Sequence, residues 1–287
     1  MRIDAHVHFM VYDPHEHIWV TDELSALKRN FLPADLEPLL KGAGFDGCVA
    51  VQARQLPHEN EWLLDLARSH GFIRGIVGWA DLRAPDVTAR LEALTAHPQI
   101  KGFRHVLIDE PDDSFLLRDD FQRGVAALGR FRFTYDLLIF PRHASAAVPL
   151  VRKLPQQRFV LDHVGLPDIR GQQLAPWEAA LKQLAACPNV FCKLSGLAFR
   201  TDWHRWRPAN FTRYLDVVLE LFGPRRLMVG SNWPVCTVAG TYDAVLNVVL
   251  DRVRALSEVE QAQIMGGTCA EFYGLQLRTP SDHASGR

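Results

Sequence analysis

Met1-Arg2-Ile3-Asp4-Ala5-His6-Val7-His8 opens the chain, and its reading decides the fold. The residues ahead of the histidines are too few for anything but a buried strand that opens a domain. In an extended segment, His6 and His8 stand two residues apart and project from the same face, which would look into a site. A His-x-His by itself is equally well two core or surface histidines. Two further strand-like runs tip the balance. Phe159-Val160-Leu161-Asp162 delivers His163, and Leu227-Met228-Val229-Gly230 breaks into Ser231-Asn232-Trp233-Pro234. Three histidines and a polar residue at strand ends, spread over the whole chain, point to a barrel with one active mouth.

Short apolar runs alternate with amphipathic stretches throughout. The pattern predicts strands over 2–8, 46–52, 73–79, 100–105, 133–139, 158–163, 189–195 and 226–231, and helices near 34–43, 59–70, 86–97, 115–130, 143–153, 175–186, 209–222 and 241–255. Phe211, Tyr214, Leu215, Val218 and Phe222 recur at helical spacing, as do Leu117, Phe121, Val125 and Leu128. Pro33, Pro85 and Pro208 stand near helix starts, where a missing amide proton costs little, while Gly42, Gly44, Gly71 and Gly223 follow helix ends. Eight strand–helix units with no linker between them match a single (β/α)₈ barrel of TIM type over residues 1–275. A doubly wound open sheet is the alternative. An extra C-terminal helix is expected from Glu258 to Tyr273, and residues 276–287 lack apolar periodicity, as a flexible tail would. The segment from Phe9 to Phe31 is long for a βα loop and carries His15, His17 and Trp19, which argues for a loop folded over the mouth rather than a surface excursion.

With 287 residues, 48% of them hydrophobic and 23% charged, the chain can bury a large core. A net charge of -1 gives no reason to expect a nucleic-acid or membrane partner, and says nothing of oligomeric state. The five cysteines lie in or beside apolar segments without metal-type spacing, so reduced, buried thiols are expected. No basic region with an apolar stretch precedes the first strand, and no apolar run approaches the roughly 20 residues that cross a bilayer. The expectation is a cytoplasmic protein.

In a parallel barrel the carboxyl ends of the strands surround a common site. Read in order they supply His6 and His8, Gln52 and Arg54, Trp79, Arg104 and His105, Tyr135 and Asp136, His163, Lys193 and Ser195, and Asn232 with Trp233. Buried without a polar ligand, each such group would carry a desolvation cost of roughly 1–3 kcal/mol. Arg54 and Arg104 directly follow apolar strand runs, which favours ligand contacts over ordinary surface charges. Trp79 and Trp233 are either core fillers or platforms for a sugar ring. His58, His70, His97, His143 and His204 fall in helical or loop stretches and read as surface residues. Asp162, next to His163 on a regular strand, would face the other way and reads as structural. The same period sets Arg104 against His105, so one of those two is structural unless the strand bulges there.

These motifs together resemble a known family. His6-Val7-His8-Phe9, Val51-Gln52-Ala53-Arg54, Gly78-Trp79 with Asp81-Leu82, Lys101-Gly102-Phe103-Arg104-His105, Leu161-Asp162-His163-Val164-Gly165, Cys192-Lys193-Leu194-Ser195-Gly196 and Gly230-Ser231-Asn232-Trp233-Pro234-Val235 look like the sugar-lactonase branch of the amidohydrolase superfamily, from about residue 2 to 275. The resemblance implies a hydrolase that opens lactones of sugar acids such as L-fuconolactone or L-rhamnonolactone. Members nearby act on dicarboxylate or muconate-derived lactones. It implies that His6, His8 and His163 surround the water and the carbonyl, and that Arg54, Arg104 and His105 hold the substrate; Trp79 and Trp233 stay candidate substrate contacts on the reading of their own positions. It also implies an aspartate acting as general base at position 232.

Here that residue is Asn232. A carboxamide accepts no proton at neutral pH and is a weak neutral ligand for a cation, so both roles of the aspartate are lost. Three explanations stand: an engineered variant that traps ligand, a natural enzyme whose base is a histidine, or a sugar-acid binding barrel without turnover. The intact surrounding motifs weigh against the last. A metal-dependent decarboxylase or C–C hydrolase of the same superfamily is the alternative enzyme. His6, His8 and His163 are sufficient ligands for a zinc ion with an open water position, while the resemblance also includes members that work without metal. No required cofactor, or one weakly bound divalent ion, is therefore expected. Lys193 lies on the seventh strand, the wrong place for a carbamylated bridging ligand.

Overall fold

The structure is a computed structural model that describes residues 1–276. Eight parallel strands follow one another around a barrel in chain order: β1 (Ile3–Val7), β2 (Gly47–Val51), β3 (Ile73–Gly78), β4 (Ile100–Val106), β5 (Thr134–Leu138), β6 (Phe159–Leu161), β7 (Val190–Leu194) and β8 (Leu227–Val229). Closure comes just past the strand ends. Val7 bridges Trp233, His8 N donates to Trp233 O at 2.6 Å, and Asn232 N donates to His6 O at 2.9 Å. The barrel is thus sealed by the same two segments that carry the first histidines and Asn232.

Helices α1 (Pro33–Gly42), α2 (His58–Ser69), α3 (Val87–Leu94), α4 (Asp119–Arg130), α5 (Ala144–Lys153), α6 (Leu174–Ala185), α7 (Ala209–Phe222) and α8 (Tyr242–Val253) alternate with the strands. The stripe expected on α7 is buried at Phe211, Tyr214, Leu215, Val218 and Phe222. On α4 the stripe holds at Phe121, Val125 and Leu128, but the helix starts later than its apolar spacing suggests. Arg118 is extended, Asp119 and Asp120 fill the first turn where the helix dipole favours anions, and Leu117 stays 43% exposed in a separate short turn. After α8 the chain runs through α9 (Glu258–Ala262), a π-type turn over Gln263–Gly267 and α10 (Thr268–Tyr273).

Apolar packing divides into two shells. Most buried residues lie between strands and helices, among them Phe103, Tyr135, Phe159, Cys192 and Leu194. A smaller cluster joins Ile3, Ala5, Val49, Val51, Val77, Val160 and Met228 of the barrel interior to Cys269, Phe272 and Tyr273 of α10. The C-terminal helix therefore plugs the amino-terminal end of the barrel, leaving the carboxyl-terminal end for a site. No helix among the described residues is long and apolar enough to cross a membrane. Of the tail expected at 276–287, residues 277–287 lie outside the described residues.

Candidate active site

Strand period decides which polar residues enter the barrel. On β4, β5 and β7 the outward residues pack in the helix-facing shell, so the intervening Arg104, Asp136 and Lys193 point to the axis. On β1 a period of two would send His6 outward with Asp4, whose carboxylate accepts from the Tyr242 hydroxyl of α8 at 3.0 Å. The register slips by one residue between Asp4 and Val7, and this bulge swings His6 inward. On β6, Asp162 keeps the inward parity of Val160. The backbone then turns left-handed at His163 (φ 53°) and Val164 (φ 49°), so His163 faces the mouth as well. Gly196 admits that ring, since a Cβ there would stand 2.6 Å from His163 Cγ.

The inward side chains form one fully buried network. Lys193 Nζ lies 2.5 Å from Asp136 Oδ2, 3.0 Å from Asp162 Oδ1 and 3.1 Å from His6 Nδ1. The Tyr273 hydroxyl donates to Asp136 from below, at 2.9 Å from Oδ2. Above them Arg104 donates from Nη2 to Gln52 O at 2.7 Å and from Nη1 to Asp162 Oδ2 at 3.3 Å. His6 Nε2 and His8 Nε2 are 3.1 Å apart, His8 Nδ1 meets Val51 O at 2.9 Å, and His163 Nδ1 meets Ser195 Oγ at 2.8 Å. Burial holds His6 well below the usual imidazole range and lowers His8 and His163 to about 3. All three are neutral at ordinary pH. Burial raises Asp136 to about 6 against the pull of Lys193.

His8, Arg104, His163 and Asn232 line the floor of a cavity of about 470 Å³, with Ile108, Leu138, Phe140 and Phe199 among its apolar walls. Asn232 sits in the left-handed region (φ 60°), tied through Ser231 N to Asp4 Oδ1 at 2.8 Å. Its Oδ1 is buried without a partner, and so is Arg104 Nε. Such orphans are costly unless a ligand meets them. A larger groove of about 1050 Å³ opens at the plugged end, around Met1, Leu246 and Met265, away from these groups.

Several residues expected in the site are not on this lining. His105 points outward as the strand period dictates, its ring stacked on Phe115 with centroids 5.0 Å apart and its Nε2 2.6 Å from Glu110 Oε1. Trp233 is 2% exposed and packs edge-on against Phe9 and Phe31, which is the core-filler reading. Trp79 is held by its backbone to Asn60, with Trp79 N 2.9 Å from Asn60 Oδ1. Asp162, read from sequence as structural, belongs to the centre of the network; the inward parity of Val160 is the signal that could have found it. Lys193 hydrogen-bonds Asp136 and His6, pairs with the Asp162 carboxylate at 3.0 Å, and does not reach the cavity.

Arg54 is also absent from the lining. Its guanidinium bridges Glu59 of α2 and Glu16 of the loop between β1 and α1. The same loop is pinned by Trp19 Nε1 donating to Ala53 O at 2.9 Å, and it lays Ile18, Trp19, Thr21 and Leu24 on the cavity wall. Ile18 remains 79% exposed at the rim. Arg54→Ala should free this loop. We expect faster limited proteolysis within residues 11–30 and a KM raised roughly tenfold with kcat little changed, as for losing a charged hydrogen bond worth about 1.5 kcal/mol. An unchanged KM would separate the loop from ligand binding.

His6, Asp162 and His163 each offer a ligand atom within 4.8 Å of one another, a group able to hold a metal ion. The 3.1 Å between the Nε2 atoms of His6 and His8 is also close to the edge of a zinc tetrahedron, about 3.3 Å for Zn–N bonds near 2.05 Å. Neutral imidazoles suit such a site. Asp162 is already neutralised by Lys193 and Arg104, so the donors fit an ion but bring little net charge to it.

A family model described as amidohydrolase matches residues 3–275. The chain is 40% identical over 286 residues to an L-fucono-1,5-lactonase of Burkholderia multivorans, covering 96% of both chains. It is 34% identical over 293 residues to an L-fucono-1,5-lactonase of Burkholderia ambifaria, covering 99% of both. Among solved structures, an amidohydrolase from Burkholderia multivorans is 38% identical and superposes with a TM-score of 0.92 over 96% of this chain and 100% of that one. It has been crystallised with bound HEPES and with bound zinc.

Proposed function

Because this chain belongs to the amidohydrolase family, we propose that its barrel mouth hydrolyses a sugar-acid lactone, of the kind exemplified by L-fucono-1,5-lactone, to the open acid. The observation that carries the reading is the floor of the 470 Å³ cavity, where His8, His163, Arg104 and Asn232 converge beneath apolar walls. Opening a lactone requires a positioned water, donors for the tetrahedral oxyanion and a proton for the departing ring oxygen. His8 and His163 face the water and the carbonyl, while His6, expected beside them, is fully buried behind His8 and acts on the site through it, its Nε2 3.1 Å from His8 Nε2. Arg104 spends its terminal nitrogens on Gln52 and Asp162, which leaves its Nε–H as the donor for a substrate oxygen. Asn232 can orient a hydroxyl or the water through its unpartnered Oδ1 but cannot take its proton.

No metal is required in this reading. One weakly held divalent ion, zinc by preference, would sit on His6 and His163 with Asp162 or His8, and would supply Lewis-acid polarisation and a more acidic water. Five buried cysteines outside any disulfide suit a reducing compartment, so we place the enzyme in the cytoplasm. Its partner is the small lactone.

A panel of aldonolactones followed by proton release tests the proposal, using the chain as it stands and its Asn232→Asp variant. Hydrolysis of a 6-deoxy lactone such as L-fucono-1,5-lactone supports it. If neither form opens any aldonolactone while a dicarboxylate lactone is hydrolysed, the substrate class is wrong; ligand binding without turnover in both forms would make the barrel a binding protein. Arg104→Ala should weaken lactone binding about ten- to a hundredfold, the effect of losing a charged hydrogen bond of roughly 1.5–3 kcal/mol, and should slow the chemical step less. Unchanged affinity by calorimetry would place Arg104 outside the substrate contacts.

A further inference from the structure

We propose that Lys193 is a positioning residue that keeps the proton of His6 on Nε2, making His6 and His8 a hydrogen-bonded donor–acceptor pair and opposing a metal ion between them. Lys193 has three N–H donors, and three acceptors surround it: Asp136 Oδ2 at 2.5 Å, Asp162 Oδ1 at 3.0 Å and His6 Nδ1 at 3.1 Å. The Tyr273 hydroxyl donates to the same Asp136 carboxylate, so α10 helps hold the lysine in place. An ammonium has no lone pair to offer, and His6 Nδ1 must therefore accept from it.

The neighbouring ring gives the same answer independently. His8 Nδ1 faces the carbonyl of Val51 at 2.9 Å, and a carbonyl only accepts, so His8 carries its proton on Nδ1 and a lone pair on Nε2. That lone pair faces His6 Nε2 at 3.1 Å. With the proton on Nε2, His6 accepts from Lys193 and donates to His8, and the mismatches are the 3.4 Å approach of Arg104 Nη1 to His6 Nε2 and of Asp162 Oδ1 to the His6 Nδ1 lone pair. With the proton on Nδ1, a donor would face the ammonium at 3.1 Å and two lone pairs would face each other at 3.1 Å. Two conflicts at 3.1 Å, one of them with an ammonium, outweigh two at 3.4 Å and decide the tautomer.

A metal ion between the rings needs a lone pair on both Nε2 atoms. It would force the His6 proton onto Nδ1, against Lys193, where a ligating histidine ordinarily finds a carboxylate or carbonyl to receive that proton. Asp162 Oδ1, 3.4 Å from His6 Nδ1, is the acceptor that would serve if the lysine were absent. Lys193 thus turns a His-x-His with ligand spacing toward hydrogen-bond donation, which in the lactone-opening reading above aims a proton, not a lone pair, across the site.

The test reads the ring nitrogens without any lactone, so its failure is separable from failure of the lactonase assignment. In ¹⁵N-histidine-labelled protein, the His6 signals are identified by their loss in His6→Gln, and long-range ¹H–¹⁵N correlation tells which nitrogen carries the proton. The expected result is Nε2–H in the unaltered chain and Nδ1–H in Lys193→Met, with zinc bound at least about tenfold more tightly by the variant in titration calorimetry. Nδ1–H in the unaltered chain overturns the proposal, and this measurement decides even if Lys193→Met does not fold. A folded Lys193→Met that keeps Nε2–H, or binds zinc no more tightly, overturns it as well.

Discussion

Asn232→Asp is expected to raise kcat on a sugar-acid lactone by at least about a hundredfold at neutral pH, within the 10²–10⁴ that a positioned general base supplies. The substitution replaces an amide with a carboxylate of nearly the same volume. It also keeps a residue type that tolerates the left-handed backbone found at this position (φ 60°), so the fold should not register it. The amide oxygen it replaces is buried at the cavity floor without a partner, where a carboxylate oxygen would meet the incoming water. The histidines are poor substitutes as they stand. With His8 and His163 lowered to about 3 by burial, neither takes up a proton readily at pH 7. The chain as given should bind lactone and open it slowly, and the variant's rate should fall as the new carboxylate protonates in acid. Equal turnover by the two forms would make a histidine the base, His163 first among them.

Acidification from pH 7 to pH 5 should remove at least about 3 kcal/mol of folding stability. In the unfolded chain His8 and His163 take up protons as the pH falls below about 6.5, whereas in the folded chain burial keeps them neutral down to about 3. Between those values the unfolded state holds more protons, so the stability fully present above pH 6.5 is lost as the pH falls. Each imidazole contributes about 2 kcal/mol of that loss at pH 5, and His6 acts in the same direction. Asp136 acts oppositely. Raised to about 6, it holds an extra proton in the folded state between its unfolded value and that pH, which offsets about 1 kcal/mol. Urea unfolding at matched ionic strength measures the difference. A midpoint that does not move between pH 7 and pH 5 would mean that the buried rings protonate within the fold.

Architecture was legible because it rests on local regularities. All eight strands and the eight helices between them lie where apolar runs and helical spacing placed them, and the extra C-terminal helix falls within 258–273. The largest boundary shift is at α4, where the apolar stripe continues past Arg118 although the backbone does not, and α3 also ends at Leu94, three residues short of the expected 97. A period in the sequence reports which face is apolar, while the helix start is set by which residues can leave the helix and which charges suit its first turn.

The histidines and Arg104 could be named as candidates from strand ends alone, but the second partner of each polar group could not. Sequence spacing determined that His6, His8, His163, Arg104 and Asn232 stand at the carboxyl ends of strands, because strand order and connection length fix that much. Tertiary structure alone decided which way they face. A one-residue bulge in β1 turns His6 inward, two left-handed residues after β6 bring His163 beside Asp162, and regular pleating sends His105 out to Phe115. It also decided that Arg54 ties down a loop, that Trp233 fills the core, and that Lys193 faces Asp136, Asp162 and His6 instead of the cavity. Side-chain direction depends on single backbone torsions and hydrogen-bond partnership on residues from remote strands, and neither leaves a periodic mark along the chain.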